Sequence, residues 1–205
     1  PYLEQYHIGF AQTHVIFANN IIDKAASGSA DANNQKPLVF TKESKQMLIE
    51  AIQTAISENQ MAINLNPKKA EYWANLAQIY TIIPKELQSP NDKDANAPQT
   101  IAVNLFKKAL ELDPNNPVYY FGIGQLYLAQ QKMDDGFKYI KKAVEKKSNW
   151  ADGHYQLAML YGQKQDKEHM IKELEATLQN LDPKTNQKEY DTTKQILDKI
   201  KSGEQ

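Results

Sequence analysis

Cysteine is absent from this 205-residue chain. Disulfides, thiolate-held metals, iron–sulfur clusters and cysteine nucleophiles are therefore excluded together. Arginine is absent as well: all 24 basic residues are lysine, set against 25 acidic ones for a formal charge of −1. Without a guanidinium there is no bidentate grip on phosphate, guanine or carboxylate. The near-zero balance supplies no overall pull toward nucleic acid or anionic lipid. No stretch approaches the roughly 18 consecutive apolar residues that a membrane-spanning helix needs. The chain opens on Pro1 without a charged-then-apolar leader, and is read as a processed product or fragment, so that any targeting segment would lie outside it. A chain of this size and composition folds as one ordinary domain or two small ones.

What is present is repetition. The phrases AINLNPKKAEYW at 62–73 and ALELDPNNPVYY at 109–120 each close one apolar-periodic segment, turn at Asn-Pro or Asp-Pro, and open another. Pro67 and Pro114 are 47 apart, as are Trp73 and Tyr120, and Tyr80 and Tyr127. Further on the period falls to 34: Tyr127 to Tyr161, Tyr120 to His154, Ala109 to Ala143. The 13-residue excess falls in 82–100, a polar stretch with three prolines, which predicts a loop insertion.

Each 34-residue unit holds two helical patterns. Tyr120, Ile123, Gly124 and Tyr127 form one stripe at i, i+3, i+4, i+7, and Phe137, Ile140, Ala143 and Val144 form another. Asp134 and Asp135 near the start of the second segment and Lys146 and Lys147 near its end suit the helix dipole. In the next unit Asp166 is the expected N-cap before Ile171, Leu174, Leu178 and Leu181. Small residues recur where helices must approach closely: Ala77, Gly124 and Ala158 share one position, Ala55, Ala102 and Gly136 a second, Ala62, Ala109 and Ala143 a third. A mid-helix glycine costs about 0.5–1 kcal/mol relative to alanine, so Gly124 and Gly136 imply a steric need. One such hairpin cannot bury its apolar faces alone, and stacked neighbours must supply the other wall.

Trp73-x-x-Leu76-Ala77-x-x-Tyr80 followed by Ala102-x-x-x-Phe106-x-x-Ala109-x-x-x-x-Pro114 resembles the tetratricopeptide repeat (TPR) family. Tyr120-x-x-Ile123-Gly124-x-x-Tyr127 with Gly136, Ile140 and Ala143 is a second copy, and His154-x-x-Leu157-Ala158-x-x-Tyr161 with Leu174 a third. The third departs at Met170 and Thr177, where small residues are usual, and its Asp182-Pro183 turn comes one residue late. Upstream, Ala55, Ala62 and Pro67 match a second half-repeat with Asn59 at the usual aromatic position. The resemblance implies an all-α, right-handed superhelical solenoid of antiparallel helix pairs. Its expected parts are a divergent N-terminal pair over 1–67 with a polar loop at 25–40, and three repeats over 68–116, 117–150 and 151–184. A capping helix and tail follow over 185–205, with Tyr190, Thr193, Leu197 and Ile200 at helical spacing.

Few residues suggest chemistry. His7 and His14 lie seven apart with no third ligand at fixed spacing, and read as polar residues on an amphipathic helix. His154 stands at the repeat's large-aromatic position and reads as packing; His169, after Asp166, reads as surface. Asp92-x-Asp94-x-Asn96 opens like a calcium loop, but Ala97 stands where glycine makes the turn and Val103 where glutamate closes the shell. Phosphate loops, nucleophile elbows and paired acid–base carboxylates have no counterpart. The expectation is a non-enzyme without metal or cofactor.

In such arrays the first helix of each pair lines a concave groove. The resemblance places Asn75, Gln78 and Ile82 there in the first clear repeat, Phe121, Gln125 and Leu128 in the second, and Tyr155, Met159 and Gln163 in the third. Some of these also fit packing between helices. Family members that hold a chaperone's C-terminal carboxylate use groove cations and asparagines; here the matching positions offer Asn75 alone and no cation. An aromatic, amide-bearing groove suits an apolar or neutral peptide segment. The expected function is a protein–protein interaction scaffold. Alternatives are a self-associating structural subunit, or an extracytoplasmic domain like the TPR tails of bacterial envelope-polysaccharide membrane proteins, which the W-x-N-L-A-x-I-Y run resembles. The expected partner is another protein or the chain itself, not nucleic acid, with no membrane insertion. The compartment stays open, with a lean to the extracytoplasmic side.

Overall fold

The computed structural model describes residues 2–27, 38–88 and 97–202. Among them the regular structure is helical: α1 (Tyr2–Ser27), α2 (Lys42–Leu65), α3 (Ala70–Thr81), a 3-10 turn (Lys85–Leu87), α4 (Pro98–Leu112), α5 (Pro117–Ala129), α6 (Met133–Lys146), α7 (Ala151–Gln163), α8 (Lys167–Asn180) and α9 (Gln187–Ser202). The central parts of both polar loops, and with them the Asp92–Asn96 run, lie outside the described residues. The chain forms two compact units, residues 1–114 and 115–205.

In the first unit α1 and α2 form an antiparallel hairpin, and α3 packs on α2 and on α4. Glu4, at the start of α1, accepts from the Tyr72 hydroxyl at 3.0 Å and from Asn66 Nδ2 at 3.3 Å, tying the end of α2 and the start of α3 to the first turn. His7 meets Glu58 of α2 at 2.6 Å. The core runs through Ala18, Leu48, Ala51, Ile52, Ala55, Ala62, Ile63, Tyr72, Leu76 and Ile79. Alanines dominate the hairpin seam because only a methyl fits where two helix backbones approach closely.

In the second unit α5–α6 and α7–α8 are hairpins of the same design, and α9 packs on α8. Asn116 caps α5 by accepting from the Val118 amide at 3.1 Å, with Pro117 in the first turn, where its missing N–H is no loss. Asp166 caps α8 through the His169 amide at 3.1 Å, as its position predicts. Both hairpin turns use the same stop. Gln131 and Gln165, 34 apart, take left-handed φ of 61° and 59°. The next amides, of Lys132 and Asp166, donate back to the carbonyls of Tyr127 and Tyr161 at 2.9 and 3.0 Å. This is the Schellman closure, in which a left-handed residue lets the chain satisfy its last carbonyls.

The steric need at the glycines is visible. A Cβ on Gly124 would stand 2.8 Å from Ile140 Cγ1 and 3.1 Å from the Ile140 backbone nitrogen. One on Gly136 would stand 2.6 Å from Leu128 Cγ and 3.3 Å from the Gly124 carbonyl oxygen. In the capping helix Thr193 and Leu197 face inward, and lysines occupy its outer face and last turn.

Candidate functional site

In two of the repeats the residue at the aromatic position anchors the first helix to the preceding turn. Trp73 Nε1 donates to the Pro67 carbonyl at 2.8 Å, and His154 Nε2 lies 2.9 Å from the Ser148 carbonyl, the corresponding oxygen. His154 is only 8% exposed, and its Nδ1 meets Glu173 of α8 at 2.6 Å. Both ring nitrogens are thus engaged in holding α7 to its neighbours. His169 Nδ1 lies 2.8 Å from Asp166 Oδ2, with its ring stacked on Tyr161, and His14 bonds the Phe10 carbonyl one turn back. Among the described residues no group of three or more histidine, aspartate or glutamate side chains gathers in a metal-holding arrangement.

Asn75 and Gln78 of α3 and Ile82 at its C-cap, the residues expected along a groove, come together in the first unit on one side of a hollow of about 410 Å³. The opposite side is α1, through residues including Gln12 and Asn19, and Asn59 of α2 also lines it. Gln78 is exposed, Asn75 and Ile82 half-buried. Among the described residues, every one that lines it is uncharged.

In the second unit the six positions divide. The Phe121 ring lies 4.6 Å from that of Trp150 and, with Leu128, packs against the cluster of Ile140, Val144, Leu157, Leu160 and Tyr161. Tyr155 and Met159 pack against Leu174 and Leu197, and Tyr155 borders a smaller hollow of about 240 Å³ between α7, α8 and α9. These four side chains share in the stacking of helices while remaining part-exposed. Gln125 is half-buried and Gln163 exposed.

Two features escape the sequence pattern. One is the contribution of α1 and Asn59 to the first hollow. The other is an exposed stripe on α1: Tyr2, Tyr6, Phe10 and Phe17 point away from its buried alanines. Tyr6 and Phe10 stack with ring centroids 6.1 Å apart. Between Glu4 and Asp23 this helix carries no aspartate, glutamate or lysine.

Known proteins place the chain in a class. Residues 100–131 match a model described as TPR repeat, and residues 118–147 and 151–179 match one described as Tetratricopeptide repeat. A thermophilic TPR protein of Thermus thermophilus superposes with a TM-score of 0.57 at 14% identity, over 93% of this chain and 98% of that one. MamA superposes with a TM-score of 0.53 at 15% identity, over 80% of this chain and 95% of that one. Over 64 residues, 31% of this chain, the sequence is 38% identical to the Protein STIP1 homolog of Dictyostelium discoideum, and the match spans 11% of that relative's length. Residues 100–147 and 151–179 carry tetratricopeptide repeats, and the fold is the all-helical repeat fold of such proteins. Stacked repeats of this kind present extended surfaces and serve as protein-interaction scaffolds.

Proposed function

We propose that the chain is a non-catalytic scaffold that binds an apolar or uncharged segment of another polypeptide along the first helices of its repeats. The observation that carries this reading is the neutrality of those faces. Asn75, Gln78, Ile82, Phe121, Gln125, Leu128, Tyr155, Met159 and Gln163 include no ionisable acid or base other than a tyrosine, whereas the second helix α6 alone carries Asp134, Asp135, Lys138, Lys141, Lys142, Glu145 and Lys146. A charged ligand segment would leave its solvent shell for amides and apolar groups that cannot replace it. A neutral segment loses little, and the amides can hydrogen-bond its backbone while the aromatic and aliphatic groups bury its side chains. Because the scaffold is preformed, binding orders few of its own residues.

Gln78→Lys and Gln125→Lys test this, one in each unit. Gln78 is exposed and Gln125 half-buried, and the flexible lysine stem can carry its ammonium to solvent, so the folded state should tolerate both. The reading expects each to reduce the amount of partner retained from source cells while the melting temperature stays within a degree or two of the parent. Undiminished retention in both variants would argue against it.

A second reading, self-association, is favoured by the exposed aromatic stripe of α1. Apolar patches of this kind mark contact surfaces, and the near-zero net charge opposes association little. Sedimentation equilibrium over a wide concentration range tests it. A monomer throughout removes it.

A further inference from the structure

One residue lining the first hollow, Asn59, departs from the repeat pattern. Asn59 aligns with Phe106, Ile140 and Leu174 in the following repeats, and all four are buried. The other three fill this position with an aromatic or branched aliphatic side chain. Asn59 is smaller and polar, is 1% exposed, and its Oδ1 has no hydrogen-bond partner among the described residues. An amide so placed is costly for folding unless something else satisfies it. The hollow it lines is also edged by Gln12, Asn19, Asn75 and Gln78, and among the described residues its lining is uncharged.

We propose that this hollow is a socket for a carboxamide side chain, glutamine or asparagine, projecting from the bound polypeptide. The inference rests on the peptide-binding reading above and names what that segment presents to the first unit. A carboxamide offers N–H donors to the unpaired acceptor of Asn59 and both donors and acceptors to the surrounding amides. An aliphatic side chain would leave Asn59 unpaired. A carboxylate offers only acceptors, and an ammonium or carboxylate would surrender its hydration to a neutral lining. Glutamine has the longer reach and is the better fit to a recessed partner.

The test uses the full chain, labelled for NMR, and three probes differing at one side chain: acetyl-Ala-Gln-Ala-amide, acetyl-Ala-Glu-Ala-amide and acetyl-Ala-Leu-Ala-amide. The glutamine probe is expected to produce saturable shifts in the side-chain amide signals of Asn59, Asn75 and Gln78, with affinity about tenfold above either control, as one net hydrogen bond would give. Asn59→Leu fills the position as Leu174 does and should abolish the preference; Asn75→Ala removes a rim amide without touching the core and should weaken it. Equal affinity for the three probes, or no saturable shift from any, overturns the socket. The broader reading fails separately, through undiminished partner retention in Gln78→Lys and Gln125→Lys.

Discussion

Met170 lies over Gly162, its Sδ 3.0 Å from where a Cβ on that glycine would stand. One repeat earlier the sizes are exchanged: Leu128 holds the position of Gly162, and Gly136 that of Met170, with Leu128 folded over the glycine. The same seam between first and second helix is filled from opposite sides in successive repeats. The side chains differ, but a single large group occupies the gap each time, as close packing requires.

This exchange predicts a coupled pair. Gly136→Met alone forces two large groups into one space and should cost about 1–3 kcal/mol. Leu128→Gly alone leaves a cavity and a flexible helix position, at about 2–5 kcal/mol. The double variant copies the Gly162–Met170 arrangement and should recover much of the loss, with a coupling energy of about 1–3 kcal/mol in a urea-unfolding double-mutant cycle.

Gln131 and Gln165 hold left-handed backbone that an L-residue enters at a cost of about 1–2 kcal/mol. Replacing Gln131 with glycine removes that strain but frees the unfolded chain. The net expectation is a stabilisation of about 0.5–1 kcal/mol, read as a raised melting temperature. Asn59→Leu should also stabilise, because it removes a buried acceptor with no partner among the described residues.

The His154–Glu173 pair is only 10% and 14% exposed at its side chains. His154→Phe supplies the aromatic group usual at this position but strands the Glu173 carboxylate, and should cost about 3 kcal/mol. Adding Glu173→Leu removes the stranded group and should restore most of the stability. Chemical denaturation of the parent, single and double variants checks the order.

Acid should act through the helix starts. The hydrogen bond from the His169 side chain, aided by its backbone amide, holds the Asp166 carboxyl below its ordinary 3.8. The Lys164 ammonium does the same for Asp134. A carboxyl depressed in the folded state contributes stability that is fully present above its unfolded value and is lost as pH falls through its folded one. The melting temperature should therefore drop as the solution passes below about pH 4. Asp166→Asn, which keeps an N-cap oxygen but cannot ionise, should show a shallower drop.

The repeat spacing, the small-residue seams, the Asp166 cap and the closing helix were all legible in the sequence, because each reflects local chain geometry or a contact between adjacent helices. The roles of the groove positions were legible only in part. Phe121, Leu128, Tyr155 and Met159 recur at the right spacing, yet how far each is covered depends on the next hairpin, which a period does not reveal. The departure at Met170 looks like drift until its partner Gly162 is seen across the seam. On α1, apolar groups occupy both faces and no acid or lysine breaks residues 5–22, so periodicity alone could not choose the buried side. Asn59 stood out as an irregularity, but its hollow depends on α1 and α3 together.

Site-specific photo-crosslinking offers the most direct test of the binding account. A benzophenone side chain is placed in turn at Gln78, at Gln125 and at Lys138 on the exposed face of α6, and the products formed in source cells are weighed by mass spectrometry. The account predicts polypeptide adducts from Gln78 and from Gln125 and none from Lys138. An adduct from Lys138 alone, or equal labelling at all three positions, would contradict it.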